Sequence, residues 1–209
     1  MIHTALVLTA LIGLSSLMNF ASAGAPESTF AGNPVVVLDT TAGPITIELD
    51  AEKAPISTEN FLKYVDKGFY DGVVFHRVIA DPNSLRMVQT GGMTETGDVL
   101  TEKRKEAMAP IKNESGKGLS NVRGTIAMAR TSLPDSATSQ FFINFGDNSF
   151  LDSAGGGYAV FGKVTSGIEN VDTIAKSKTT SKRDSLGGRH DNVPTMPIVI
   201  KSAKRKTGP

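Results

Sequence analysis

The chain contains no cysteine and no tryptophan, and it has no excess of charge of either sign. Without cysteine, disulfides, thiol nucleophiles and cysteine-ligated zinc or iron–sulfur sites are excluded. The 22 Lys and Arg residues balance 21 Asp and Glu residues, so the chain offers no electrostatic footprint for nucleic acid or for an anionic membrane. What is present, 39% hydrophobic residues with 21 Gly and 10 Pro, is typical of a turn-rich globular domain.

The first 23 residues differ from the rest because they contain no acidic residue, lysine or arginine. An apolar run from Ala5 to Leu17 precedes Ala21-Ser22-Ala23, a small-x-small cleavage pattern. That run is shorter than the ~18–20 apolar residues that a membrane span requires. We therefore predict a signal peptide over residues 1–23, a flexible lead over 24–33, and a periplasmic or secreted protein without a membrane anchor after cleavage.

The remaining sequence predicts a mainly β fold. Val35–Leu38 and Ile45–Asp50 flank a turn and indicate a hairpin, and Pro55 to Gly68 indicates a helix with Ser57 as its N-cap. A second helix is predicted around Ile168–Ala175. Further strands are predicted at Val73–Ile79, Thr125–Ala129, Gln140–Phe145, Tyr158–Val164 and Pro197–Lys201.

Many short strands with two helices favour a closed eight-stranded antiparallel barrel capped by two α-helices. We place this single domain at residues 34–203. Residues 93–120 are interpreted as one long surface excursion, and residues 204–209 as a solvated basic tail.

Motifs for common cofactor and hydrolase chemistry are missing. No P-loop, dinucleotide-binding motif or nucleophile elbow occurs, and no histidine cluster has the spacing of metal ligands. His76 alternates with Val74 and Val78 and is predicted to face the core, while His190 lies in a Gly-rich polar segment. We expect no metal and no cofactor, and a barrel hydrolase is disfavoured.

Strand alternation places an unusual group of side chains on the outer face of the predicted barrel. If Val74, Val78, Phe141 and Ile143 point inward, then their neighbours point outward. The outward residues are Arg77, Met87, Gln89, Gln140 and Phe142. Their joint occurrence has no explanation in core packing.

Five ordered blocks of sequence resemble the cyclophilin-type peptidyl-prolyl cis-trans isomerases, in particular their exported bacterial branch. They are Phe75–Ile79, Met87–Gln89, Ala127–Arg130, Ser139–Asn144 and Tyr158–Val164. The resemblance implies a cofactor-free enzyme that isomerises X-Pro bonds in proline-containing peptides and in unfolded or folding proteins. We expect it to be monomeric.

The resemblance also assigns roles to individual residues. Arg77 corresponds to the catalytic arginine and Gln89 to the residue that orients it. Phe150 lies at the pocket rim and lacks the indole N–H of tryptophan, so cyclosporin-type inhibitors are expected to bind weakly. The other substrate-binding residues implied are Met87, Phe142 and Leu151 in the proline pocket, Gln140 and Ala129 in the adjoining groove, and Tyr158 where many eukaryotic members have histidine.

One departure from the family pattern concerns the segment Ala80–Arg86, which stands between Ile79 and Met87 and represents an insertion of about four residues relative to the family. Arg86 stands where a pocket phenylalanine is expected. Either Leu85 turns inward to replace that ring, or the pocket is shallower and its prolyl preference is altered. The loss of this phenylalanine favours a second hypothesis, a proline-peptide binding module or chaperone in which the insertion has impaired turnover.

Overall fold

The computed structural model describes residues 32–103 and 106–206. The predicted signal peptide, residues 24–31 of the predicted lead and the last three residues of the predicted tail lie outside this range. Within the described residues, no helix is both long enough and apolar enough to cross a membrane.

Twelve strands and two α-helices make up the described chain. The helices are α1, Pro55–Asp66, and α2, Ile168–Ala175. The strands are β1 Val35–Thr40, β2 Gly43–Leu49, β3 Arg77–Ala80, β4 Arg86–Thr90, β5 Met93–Thr96, β6 Val99–Glu102, β7 Thr125–Met128, β8 Phe141–Asn144, β9 Val160–Ser166, β10 Thr179–Asp184, β11 Arg189–Pro194 and β12 Ile200–Arg205.

Eight of the strands form one curled sheet in the order β12-β1-β2-β9-β7-β8-β4-β3. The predicted closure of the barrel is wrong, because β3 and β12 are the two edges of an open sheet. β3 begins only at Arg77, and the preceding chain meets the region of β12 through isolated contacts, such as Phe75 N–H to the Ile198 carbonyl at 2.9 Å and a single bridge between Val74 and Val199.

The concave face of this sheet holds the main hydrophobic core. The predicted β1–β2 hairpin is confirmed, and its buried positions alternate as expected for a sheet with one face inward. Phe61 of α1 packs with its ring 5.2 Å from Phe141 and 5.4 Å from Phe161, joining helix and sheet. Both predicted helices are present.

Helix α1 begins differently from the prediction. Its N-cap is Ala54, which has no capping side chain, and Ser57 lies inside the helix. The buried carboxylate of Glu114 accepts hydrogen bonds from the backbone N–H groups of Ile56 at 3.2 Å and Ser57 at 2.7 Å. A distant loop therefore supplies the cap that the first turn requires.

The predicted surface excursion over residues 93–120 is wrong in its first part, which forms strands β5 and β6. They belong to a second, four-stranded sheet in the order β11-β10-β6-β5. His190 lies on β11 and not in a loop. Lys182 of β10 forms a buried ion pair with Glu95 of β5, so a charge pair occupies the position where an apolar residue is expected.

The last strand extends further than predicted. β12 runs to Arg205, so the first two residues of the predicted basic tail, Lys204 and Arg205, belong to the sheet. The Arg205 guanidinium forms a forked ion pair with Asp66 at the end of α1, with distances of 2.7 and 2.6 Å.

Candidate active site

The hairpin of β3 and β4 and the neighbouring strand β8 build the candidate site on the convex face of the sheet. Arg77 lies directly opposite Gln89, and Gln89 lies opposite Phe142. Opposed residues on antiparallel strands have Cβ atoms about 4.5–5.5 Å apart, so these side chains share one surface. The Nε2 group of Gln89 donates a hydrogen bond to Oε1 of Gln140 at 2.9 Å.

The Gly91-Gly92 pair gives Gln140 its place beside Gln89. A Cβ atom on Gly92 would lie 2.5 Å from Cγ of Gln140, and one on Gly91 would lie 2.5 Å from the Ser139 carbonyl oxygen. Gly91 also has a φ of +91°, which favours glycine. Both glycines are needed for the close approach of these two segments.

A cavity of about 130 Å³, which we call the prolyl cavity, opens beside Arg77. Its apolar walls come from a second hydrophobic cluster on the convex face, separate from the main core. The residues lining it are Arg77, Leu85, Met87, Gln89, Ala129, Arg130, Phe142, Leu151 and Tyr158. The structure thus brings seven of the nine predicted site residues around one cavity.

The other two predicted site residues lie close by. Phe150 is 51% exposed, precedes the buried Leu151, and does not line the prolyl cavity. Gln140 lines a neighbouring cavity of about 480 Å³, which we call the adjoining groove. Ala129 and Arg130 border both the prolyl cavity and the adjoining groove, so the two spaces lie side by side.

The inserted segment is accommodated by Leu85 and Arg86. Leu85 lines the prolyl cavity, as the first of the two alternatives predicts. Arg86 turns away over Gly146, where an added Cβ would lie 2.2 Å from its Nε. Asn148 fixes the Arg86 backbone by accepting its N–H at 3.0 Å and donating to its carbonyl at 2.8 Å.

Arg130 and Tyr158 form a contact that the sequence analysis did not find. The Arg130 guanidinium carbon lies 4.2 Å from the centre of the Tyr158 ring, and that ring meets Phe142 edge-on at 5.9 Å. The guanidinium also donates to the carbonyl oxygens of Gly157 at 3.0 Å, Ala154 at 3.1 Å and Gly155 at 2.8 Å. One cation thereby holds both a pocket ring and the turn leading to it.

A third cavity of about 430 Å³, which we call the hairpin cavity, lies between the site and the β10–β11 hairpin. His76 lines it and is buried, as the alternation predicts. Burial lowers the pKa of the His76 imidazole to about 4, so this side chain is neutral at physiological pH. His190 contacts the Asp184 carboxylate at 2.8 Å and lines the same cavity.

Arg77 is the exposed cation of the site. Among the residues that the structure describes, none forms an ion pair or hydrogen bond with its guanidinium, so its N–H donors are available to a ligand. The guanidinium of Arg77 lies at the mouth of the apolar prolyl cavity, beside the Gln89 amide that Gln140 holds. This arrangement suits the recognition of a peptide group whose neighbouring small ring enters the cavity.

The family model described as cyclophilin type peptidyl-prolyl cis-trans isomerase/CLD matches residues 35–205. The chain belongs to the cyclophilin family. It is a peptidyl-prolyl cis-trans isomerase of the cyclophilin type.

Similar proteins extend over nearly the whole of this cyclophilin. It is 47% identical over 200 residues to peptidyl-prolyl cis-trans isomerase A of Dickeya dadantii, covering 95% of this chain and 96% of that protein. It is 52% identical over 177 residues to the isomerase of Acinetobacter baylyi, covering 84% and 87%. The Cryptosporidium parvum cyclophilin crystallised in the presence of the dipeptide Ala-Pro has a TM-score of 0.63 at 24% identity, covering 83% of this chain and 99% of that one, which shows the shared fold.

Proposed function

We propose that this cyclophilin accelerates X-Pro rotation by stabilising the twisted amide with Arg77, while the prolyl cavity holds the proline ring. The observation that carries the proposal is the unpaired guanidinium of Arg77 at the rim of an apolar cavity of about 130 Å³. The substrates are proline-containing peptides and folding proteins, and the Ala-Pro dipeptide named for the Cryptosporidium relative belongs to the same chemical class.

The reaction breaks no bond, which fits a site without a nucleophile or a titrating base. Amide resonance sets a rotation barrier of ~18–20 kcal/mol. Twisting removes that resonance and localises a lone pair on the proline nitrogen. A hydrogen bond from Arg77 to this nitrogen gains strength only as the amide twists, so it stabilises the transition state more than either planar isomer.

Gln89 and the cavity walls prepare this interaction. Gln89 lies opposite Arg77 on β4 and is itself held by Gln140, so the polar edge of the site is ordered before substrate arrives. Met87, Phe142 and Leu151 exclude water from the proline ring and fix it while the rest of the peptide rotates. A 10⁴-fold acceleration requires only ~5.4 kcal/mol of differential stabilisation.

The proposed site of this activity is the periplasm, where the enzyme assists the folding of exported proteins. Support comes from the uncharged apolar segment at residues 1–23 and from the absence of cysteine, which removes mispairing in an oxidising compartment. Fractionation of cells that express the full chain tests this part, since the mature protein is expected in the periplasmic fraction without residues 1–23.

A protease-coupled assay on an X-Pro tetrapeptide tests the catalytic role of Arg77. We expect Arg77→Ala to lower kcat/KM by ~10²-fold or more, the usual effect of losing one preorganised transition-state donor. Arg123→Ala is the matched control, because it removes another arginine that lines none of the three cavities and pairs with Asp172. The proposal fails if wild type shows no acceleration or if both variants behave alike.

A further inference from the structure

The hairpin cavity is connected to the prolyl cavity through shared residues. Arg77 borders both, and Gln89 borders both of them and the adjoining groove as well. A peptide whose proline ring enters the prolyl cavity has one chain segment on each side of that ring. If one flank follows the adjoining groove, the other passes Arg77 toward the hairpin cavity.

The lining of the hairpin cavity is polar, in contrast to the prolyl cavity. Met93 is its one aliphatic member, and the residues added by the β10–β11 hairpin are Arg189, His190, Asp191 and Asn192. Such a lining suits the backbone and charged side chains of a peptide and offers little to a second apolar ring.

The unpaired charge in this cavity is positive. Both carboxylates that line it already have partners: Asp191 accepts from the Ser181 hydroxyl and from Nε of Arg189 at 2.9 Å, and Glu102 is also engaged by another group. Arg77 has no partner among the described residues, and His76 is neutral because its pKa is about 4. An incoming carboxylate therefore meets an uncompensated cation.

Arg189 is placed to take part in this recognition. Its side chain is 67% exposed, and its Nη2 donates to the Ser181 hydroxyl at 2.8 Å, while its Nη1 donates to none of the residues described. The Nη1 group can therefore donate to a carboxylate while Nε keeps its contact with Asp191, so binding leaves no unpaired carboxylate in the cavity.

We propose that the hairpin cavity is a subsite for an acidic side chain near the substrate proline, and that Arg189 selects this side chain. The subsite rests on the proposed function, because it extends the same peptide-binding surface. The enzyme thus prefers prolines that have Asp or Glu within a few residues on one flank, and it discriminates against Lys at the same position.

A peptide series tests the subsite. Peptides with one X-Pro bond carry Glu, Gln or Lys two or three residues before or after the proline, and kcat/KM is measured at low salt. We expect wild type to favour Glu over Lys by about threefold to fivefold on one flank, the size expected for one exposed charge contact. The ratio should fall below about twofold in 0.5 M NaCl, because exposed charges are screened.

Variants of Arg189 separate this contact from the general charge of the protein. Arg189→Ala should lower the Glu-over-Lys ratio markedly, leaving only the contribution of Arg77, and Arg189→Glu should lower it further. Arg123→Ala removes the same charge from a residue that does not line the hairpin cavity, and it should keep the wild-type ratio.

The outcomes distinguish the subsite from the catalytic proposal. Equal acceleration of all peptides by wild type overturns the subsite and leaves the isomerase function standing. The subsite is also overturned if both Arg189 variants keep the full wild-type preference. It is likewise overturned if Arg123→Ala lowers the preference as much as Arg189→Ala does. A complete lack of acceleration overturns the proposed function itself.

Discussion

The contact between Arg130 and Tyr158 leads to a quantitative prediction about one wall of the prolyl cavity. Arg130→Ala removes the cation above the Tyr158 ring and the donors to three carbonyl oxygens in the turn at residues 154–157. Tyr158 then keeps its edge contact with Phe142 and loses its outer support. The turn that leads into Tyr158 loses its anchor at the same time.

The expected loss of stability follows from these contacts. A partly exposed cation–π contact contributes about 1 kcal/mol. The hydrogen bonds to the Gly157 and Ala154 carbonyls are partly buried and contribute about 1 kcal/mol each, while the exposed bond to Gly155 contributes little. Arg130→Ala should therefore lower the free energy of unfolding by about 3 kcal/mol, or Tm by about 6–12 °C for a domain of this size.

Denaturant unfolding and the isomerase assay together measure this effect. Arg123→Ala is the control, because the Arg123 pair with Asp172 is exposed and should contribute no more than about 1 kcal/mol. At a temperature where both variants are folded, Arg130→Ala should raise KM more than it lowers kcat, and Arg130→Lys should restore part of the loss because it keeps the cation. Equal destabilisation by Arg130→Ala and Arg123→Ala, with unchanged KM, would refute the argument.

Three further predictions follow from the site. The isomerisation rate should be nearly flat between about pH 6 and pH 9, because rotation about the amide transfers no proton, and a bell-shaped profile contradicts this. The stability contribution of His76 depends on pH, because its pKa of about 4 in the native state lies below the value of 6.5 in the unfolded chain. As the pH drops from 6.5 to 4, the unfolded chain binds the proton first, and the free energy of unfolding should fall by about 3 kcal/mol. Denaturant unfolding at a series of pH values measures this fall. His76→Gln should remove that part of the slope, and an unchanged slope refutes it. Phe150→Trp should increase the affinity of a cyclosporin-type inhibitor, measured by inhibition of the isomerase assay, because it adds an exposed indole N–H donor next to the cavity-lining Leu151. Nanomolar inhibition of wild type would contradict this expectation.

The predictable part of the fold is the part in which apolar residues alternate. The β1–β2 hairpin and α2 follow the periodicity of their own sequences, and the parity argument correctly places Arg77 and Gln89 on the convex face. Strand parity works there because each of these segments buries one face against the same core.

The second sheet shows why periodicity fails elsewhere. β10 has the sequence Thr-Thr-Ser-Lys-Arg-Asp, and its buried position is Lys182, which pairs with Glu95 of a strand 87 residues earlier. Its pairing with β6 is parallel and similarly distant in sequence. Because the buried residue of β10 is a lysine, the strand shows no alternation of apolar and polar residues. The β10–β11 hairpin that carries Arg189 therefore could not be predicted from the sequence.

Other features depend on contacts between distant segments. Glu114 caps α1 from 57 residues away, and no residue beside the helix indicates this. Arg130 lies in a family block, but its contact with Tyr158 depends on the turn at residues 154–157 folding back. The open edge of the sheet likewise depends on the irregular chain before Arg77 and not on the composition of any strand.

The measurement that tests the central claim most directly is NMR exchange spectroscopy on an Ala-Pro peptide saturated with enzyme, with wild type compared to Arg77→Ala. Since Arg77 is proposed to act on the twisted amide and not on the planar isomers, the variant should keep the peptide Kd within about threefold and slow exchange of the bound peptide by ~10²-fold. Unchanged exchange in the Arg77→Ala complex, or a loss of binding that accounts for the whole defect, would contradict the account.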